Sequence, residues 1–390
     1  MWLSQLHLAH AGLSNRKGKD MASVVVNGDT SGAVTLSAPA VAGTVTVTLP
    51  AATGTMLTTA STTGISGSAI SSGTVPEAYG GTGTSTGYYG FKNRIINGQM
   101  TTDQRNAGAS QTFTAGGALA YSVDRFYGFC TGANVTGQQV AGASATQFRY
   151  RFTGAASVAT VGFGQRIEQK NSYDLAGSTA TLSADLAISA TLTTVTWTAS
   201  YATTTADTFG TLASPTVTQI ATGTFTVTST VTNFSTNITI PAAATTGIQI
   251  VFTVGALTAG LTWTIGNVQL EKGSTATSFD YRPYGTELAL CQRYYEKVDN
   301  GNGVVRNSTV AFGQYYYRVE KRATATVTLS GTSGVYVNNN GDAAVTGFAA
   351  VKSNTYGFQG QFTSSGMTAG YGAYFDLQNG SQYISASAEL

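Results

Sequence analysis

Histidine is almost missing from this chain: His7 and His10 are the only two among 390 residues. The stretch beyond them has no imidazole with which to build a Ser–His–Asp or Cys–His nucleophile or a histidine-ligated metal centre. Cysteine is equally scarce. Cys130 and Cys291 stand far apart with no CxxC pair, which argues against a disulfide framework or a structural zinc site and leaves two reduced thiols in the cores as the expectation. Charge is low as well: 10% of residues are charged, against roughly 25% in ordinary soluble proteins. A net charge of +2 spread over this length offers no basic patch for nucleic acid. No run of 18 or more apolar residues occurs, so no transmembrane helix and no membrane insertion are expected. No motif implies a cofactor or a metal.

What is present points to a folded β protein. Disorder would require low hydrophobicity together with high net charge, and 42% of this chain is hydrophobic. Its 47 glycines, frequent threonine and only six prolines suit many short strands joined by tight turns. The expectation is all-β.

The first segment, MWLSQLHLAHAGLSNRKGKD, is a poor signal peptide, because its basic residues follow the apolar stretch instead of preceding it. Residues 1–21 read as an N-terminal extension, either upstream of the native start or a short docking helix. At 22–59 the pattern changes: Val45, Val47 and Leu49 alternate with Thr44, Thr46 and Thr48, and Asn27-Gly28 and Ala42-Gly43 supply turns. A block this short cannot bury a core alone, so it reads as a β module that assembles with copies of itself. Residues 60–90, Gly/Ser/Thr-rich with one charge at Glu77, read as a neck. The YGGTGTS within it has no following lysine and no strand-to-helix setting, which argues against a phosphate loop.

Strands are expected at 147–152, 195–200, 224–229, 237–241, 248–254 and 261–265, separated by turn-rich gaps, the pattern of a β-sandwich. Between Leu175 and Leu270 only Asp185 and Asp207 are charged; neutral strands of this kind need covered edges or an oligomer. The stretch 262–297 closes the sandwich. Trp263, Ile265, Val268 and Leu270 alternate around a kink at Gly266-Asn267, Glu271-Lys272-Gly273 breaks the strand, and Phe279 and Tyr281 alternate again before Arg282-Pro283. Leu288, Cys291, Tyr295 and Val298 then fall at helical spacing, with Thr286 as N-cap and Lys297 near the last turn. Beyond it, 322–329, 371–377 and 383–390 read as strands and NNNGD at 338–342 as a hairpin turn. That turn could also offer oxygens to calcium, but it lacks EF-hand spacing.

The ordered blocks NRIINGQMTTDQRNAG (93–108), YSVDRFYGF (121–129) and VQLEKGSTATSFDYRPYGTELALCQRYYEK (268–297) resemble a jelly-roll, carbohydrate-binding-module-like domain of phage and prophage tail fibre proteins, the first two matching its opening strands. The short 22–59 module and the YGGTGTS motif resemble other parts of such fibres. The resemblance covers roughly 91–298 and implies a jelly-roll domain over 91–283; the strand pattern beyond it reads as a C-terminal β domain, entered by a short helix, over 284–390. The resemblance further implies a homotrimer in the virion, made in the host cytoplasm, joined to tail or baseplate proteins through the N-terminal module. Its ligand would be a host surface polysaccharide or lipopolysaccharide.

For chemistry, the carboxylates Asp103, Asp124, Glu168, Asp174, Asp185 and Asp207 are available should a pair hydrolyse glycosides. The expectation is a non-enzymatic receptor-binding protein; a structural tail or head connector and a glycan depolymerase are the alternatives. Asp124-Arg125 reads as a partly buried ion pair or turn contact, and Glu271 and Asp280 as strand-end hydrogen-bonding groups. A sugar site needs aromatic platforms ringed by amides. Trp197 and Trp263 alternate like core residues. Tyr201, placed just past its strand, and the distal Tyr315, Tyr317, Tyr336, Tyr356, Asn338 and Asn340 are the ligand-binding candidates.

Overall fold

The computed structural model describes residues 91–142, 147–189, 191–298, 300–338, 341–377 and 382–390, with two further strands near the N-terminus. The chain divides into two compact units, Met1–Ser71 and Ser72–Leu390. In the first, β1 (Ser23–Asn27) and β2 (Ala33–Ser37) pair antiparallel with Asn27 opposite Ala33; Gly28 of the expected Asn27-Gly28 turn lies outside the described residues. The Val45–Leu49 face, the extension and the neck lie outside the described residues.

The second unit opens with a β-sandwich. Its strands are β3 (Gln111–Phe113), β4 (Ala120–Tyr121), β5 (Phe126–Thr131), β6 (Val135–Ala141), β7 (Phe148–Thr153) and β8 (Thr160–Ile167). They continue with β9 (Thr179–Ile188), β10 (Thr194–Ala202), β11 (Val217–Thr226), β12 (Thr232–Thr239), β13 (Ile248–Val254) and β14 (Thr262–Lys272). One six-stranded sheet runs β11-β10-β13-β8-β5-β4 and the other β12-β9-β14-β7-β6-β3. From β7 onward the chain changes sheet at every connection except the β10–β11 hairpin, the jelly-roll pattern. All pairings between strands within each sheet are antiparallel, apart from an isolated parallel bridge between Ala115 and Cys130, and alternate residues face the core. In β13, Ile248, Ile250, Phe252 and Val254 are buried while Gln249, Val251 and Thr253 between them are not. Between the sheets Tyr150 stacks on Phe163 at 5.0 Å, and within one sheet Phe152 stacks on its cross-strand neighbour Trp263 at 5.4 Å. Trp197 and Trp263 both lie in this core, as their alternation implied.

Several local expectations change. The 93–108 block forms turns, with Asn97 at its centre donating to the backbone oxygens of Thr102 and Asp124; side-chain-to-backbone bonds compete with strand pairing there. β14 bulges between Gly266 and Gln269 as expected, with Asn267 in the left-handed region that asparagine tolerates. Phe279 and Tyr281 are not in a strand; they meet edge to face at 5.0 Å in a segment that hydrogen-bonds back to the sheet through Thr277 to Glu271 and Asp280 to Gln269. α1 (Gln169–Ser172) is a single turn. The expected helix, α2 (Tyr284–Gln292), starts after Pro283, not at Thr286, and ends before Tyr295. Tyr295–Val298 instead forms strand β15, paired with β24 (Ile384–Ser387). The helical spacing of Tyr295 and Val298 yields to a pairing partner almost ninety positions away.

Beyond α2, β15, β24 and β18 (Thr326–Leu329) make a three-stranded sheet. A seven-stranded sheet follows, in the order β20 (Asp342–Ala344), β19 (Tyr336–Asn338), β23 (Gly372–Asp376), β16 (Gly301–Asn307), β17 (Val310–Tyr316), β22 (Gly357–Thr363) and β21 (Gly347–Ser353). β19 and β20 pair directly across the expected hairpin, whose Gly341 has φ +123°. Both cysteines are free and buried, as expected. Among the described residues no helix is long and apolar enough to cross a membrane.

Candidate functional site

A groove of about 420 Å³ lies on the outer face of the sandwich sheet that contains β10, β13, β8 and β5. Strand alternation builds it: Thr198 and Ser200 of β10, Gln249 and Val251 of β13 and Phe129 of β5 point away from the core that their neighbours fill. Gln219 of β11 lines it from one edge, and the loop bearing Phe209, Leu212 and Pro215 forms a wall. Glycine at 162 on β8 is required by Phe129, since a Cβ there would fall 2.1 Å from the phenyl ring. The ring of Phe129 therefore lies flat on bare backbone. Gly162→Ala should push the ring off its seat and destabilise the protein by about 1–3 kcal/mol, a change that chemical unfolding would measure.

Arg166 organises the groove. Its Nε donates to Gln249 Oε1 at 3.0 Å, and its Nη2 to the Gly210 carbonyl of the wall loop at 2.8 Å. Nη1 donates to the Leu390 oxygen at 2.8 Å, and the guanidinium lies 5.3 Å from the Phe209 ring centroid. Only 6% exposed, Arg166 braces the wall and orients the Gln249 amide, and the groove itself presents hydroxyls, amides and apolar rings. Such a surface offers both donors and acceptors to a neutral, polyhydroxylated ligand, with an aromatic face to stack on.

The seven residues singled out from sequence do not converge. Tyr201 lies within β10, not past it, and packs against the sandwich core. Tyr315 is 3% exposed and stacks on Phe358 at 4.8 Å, so it is a core residue of the C-terminal sheet. Tyr317 is half-buried against the same cluster, and its hydroxyl lacks a hydrogen bond. Tyr356 is 62% exposed on the β21–β22 turn. Tyr336 and Asn338 sit side by side with Tyr374 and Asp376 on the outer face of the seven-stranded sheet; Asn340 lies outside the described residues. The groove residues were missed because alternation alone does not say which face of a strand meets solvent. The spaced glycines of VGFGQR were the available signal.

The carboxylates read from sequence are each engaged. Asp103 accepts from the Asn106 and Gly108 amides, and Asp185 from Asn233 and Asn267. Asp174 pairs with Arg94 at 2.7 Å. Glu168 accepts from Arg293 and from the Tyr294 hydroxyl at 2.9 Å; burial would raise its pKa, but these donors outweigh it and hold it below the usual value. Asp207 accepts from the Gln169 amide, and burial raises it. Asp124 and Arg125 are not paired with each other. Arg125, with φ +72° and 1% exposed, bonds Glu389 and the Arg166 carbonyl and sits 3.5 Å over the Tyr294 ring. Asp124, fully buried, faces Gln104 and Arg105, and desolvation pushes its carboxyl up to about 7. Adjacent side chains at a turn diverge, which a linear reading cannot see. Glu271, near the end of β14, does accept from Thr277, whereas Asp280 lies outside any strand and accepts from the backbone amide of the sequence-distant Asn93.

No family model matches this chain, and no curated protein matches it. The solved structures similar to it include a phage tailspike domain and several carbohydrate-binding modules. One is the enzymatically active domain of bacteriophage CBA120 tailspike protein 4, at 13% identity and TM-score 0.28, with 47% of this chain and 22% of that chain covered. Another is a CBM4 module, at 16% identity and TM-score 0.25, with 46% and 99% covered. A third is TmCBM61 in complex with β-1,4-galactotriose, at 12% identity and TM-score 0.26, with 46% and 99% covered.

Proposed function

We propose that this protein binds a carbohydrate without transforming it, and that it does so as a phage tail fibre or receptor-binding protein attaching the virion to a host surface polysaccharide or lipopolysaccharide. The observation that carries the binding reading is the groove over β10, β13, β8 and β5, with Phe129 seated on Gly162 at one side and Thr198, Ser200, Gln219 and Gln249 lining the rest. The tail fibre reading rests on the ordered sequence blocks. In it the N-terminal β module joins the tail, the neck gives reach, and trimerisation raises a weak single-site affinity through multivalency.

The test is binding of purified protein to host cells and their extracted surface polysaccharide, with new reducing ends assayed in the same tube. Saturable binding without new ends supports the reading. New ends would replace it with a depolymerase, and absence of binding by a stable oligomer would leave a structural connector. Phe129→Ala removes the stacking ring and should weaken binding about tenfold or more. Gln219→Ala, at an exposed position, should weaken it severalfold while leaving the unfolding midpoint unchanged. Light scattering that returned a stable monomer would count against the fibre arrangement.

A further inference from the structure

The seven-stranded C-terminal sheet turns one face to its own core and the other to solvent. Val305, Ala311, Phe362 and Phe375 point inward. On the outer face, pairing places Asn338 opposite Tyr374, Tyr374 opposite Asn302, Asn302 opposite Gln314 and Gln314 opposite Gln359. Directly paired residues share a face, so five adjacent strands contribute one row of polar side chains running across the sheet. Its members are spaced by one strand separation, about 4.7–4.9 Å, comparable to the advance per sugar along an extended polysaccharide.

The row is ordered, and open at Tyr374, Asn302 and Gln314. Tyr374 is 40% exposed, and its hydroxyl accepts from Asn300 Nδ2 at 2.6 Å while Asn300 Oδ1 accepts from the Leu377 amide at 2.9 Å. Gln359 Nε2 lies 3.4 Å from Gln314 Oε1. Asn302 and Gln314 are exposed. At the next outward position along β17, Tyr316 is 77% exposed. The row itself is uncharged; Lys352 stands beyond Gln359 on β21 at one end and Asp342 beyond Asn338 on β20 at the other.

We propose that this row is a second carbohydrate-binding surface, taking an extended neutral polysaccharide laid across the strands. Tyr374 supplies a ring to stack on, and Asn302, Gln314 and Gln359 bond the sugar hydroxyls. Each carboxamide carries two donors and an acceptor, matching hydroxyls that both donate and accept. A dry protein partner would have to satisfy every amide it covered. A hydrated glycan does not face that demand. The proposal extends the carbohydrate-binding reading to a site outside the groove.

The experiment uses the full chain, a panel of neutral β-1,4-linked glucan and galactan tri- and hexasaccharides and an acidic polysaccharide, with sedimentation run in parallel. An Asn302→Ala, Gln314→Ala double variant should bind the hexasaccharide about tenfold more weakly, with a smaller loss for the trisaccharide. Tyr374→Ala should act likewise. Both variants should keep the wild-type circular dichroism spectrum, since these side chains face solvent. Binding that survives in Phe129→Ala but is lost in the double variant separates this surface from the groove, whatever the fate of the groove reading. Unchanged hexasaccharide affinity in the double variant would overturn the proposal, as would a wild-type chain that binds only the acidic polymer. An altered oligomeric state with unaltered binding would overturn it in favour of an interface between copies.

Discussion

Arg125→Ala should lower folding stability by about 3–5 kcal/mol, the cost of breaking a buried ion pair by removing one partner. Arg125 is 1% exposed and joins three parts of the second unit: Glu389 near the C-terminal strand, the Arg166 carbonyl on β8 and the Tyr294 ring after α2. Without it, the 5% exposed Glu389 carboxylate keeps only Arg105, at 3.1 Å. Alanine also leaves a cavity and must occupy a positive φ. The measurement is the denaturant midpoint at constant slope. If Glu389→Gln in the Arg125→Ala background recovers a substantial part of the loss, the unpaired charge is the cause. A single-variant loss below about 1 kcal/mol would place the pair among those that contribute little.

The second large effect is on pH. The Asp124 carboxyl is raised from the ordinary value near 3.8 to about 7 in the folded protein, by burial first, with Arg105 and Gln104 opposing it. A raised folded pKa means that the native state holds a proton the unfolded chain has released. Its stabilising effect is therefore full below pH 4 and is lost as pH rises through about 7. Glu168, held below its ordinary value, acts in the opposite sense: its contribution is present above that value and disappears as pH falls. Stability should consequently peak in the mildly acidic range and decline by a few kcal/mol toward pH 8. Asp124→Asn should flatten the alkaline side of that profile, measured by guanidinium unfolding at several pH values. A wild-type profile that rises from pH 5 to 8 would contradict this account.

Much of the architecture was legible in the residues. The alternation in IQIVFTV marked β13 without error, LTWTI marked the start of β14, and Gly266-Asn267 marked its bulge. Trp197 and Trp263 were core residues for the same reason. Errors gathered where a segment's partner is distant in sequence. Tyr295–Val298 had helical spacing, yet β24 was there to pair with it. Tyr315 and Tyr317 were the ligand candidates of YYY, but the register turns their shared face to the core, burying Tyr315 at 3% exposure and leaving Tyr316 between them 77% exposed. Register decides such cases, and a shift by one residue would exchange the two faces.

The sequence by itself determined the fold class, the buried and free cysteines, the hairpin turn at Gly341 and the lack of histidine chemistry beyond residue 10. These follow from composition and short-range periodicity, which act over a few residues. Only the tertiary structure decided that Phe129 meets Gly162 across two strands, that Arg125 reaches Glu389 and not Asp124, and that five strands align Asn338, Tyr374, Asn302, Gln314 and Gln359. Each of these is a meeting of residues from strands or segments separated along the chain. Which meetings occur depends on sheet order and register, and these are fixed by the folding of the whole unit.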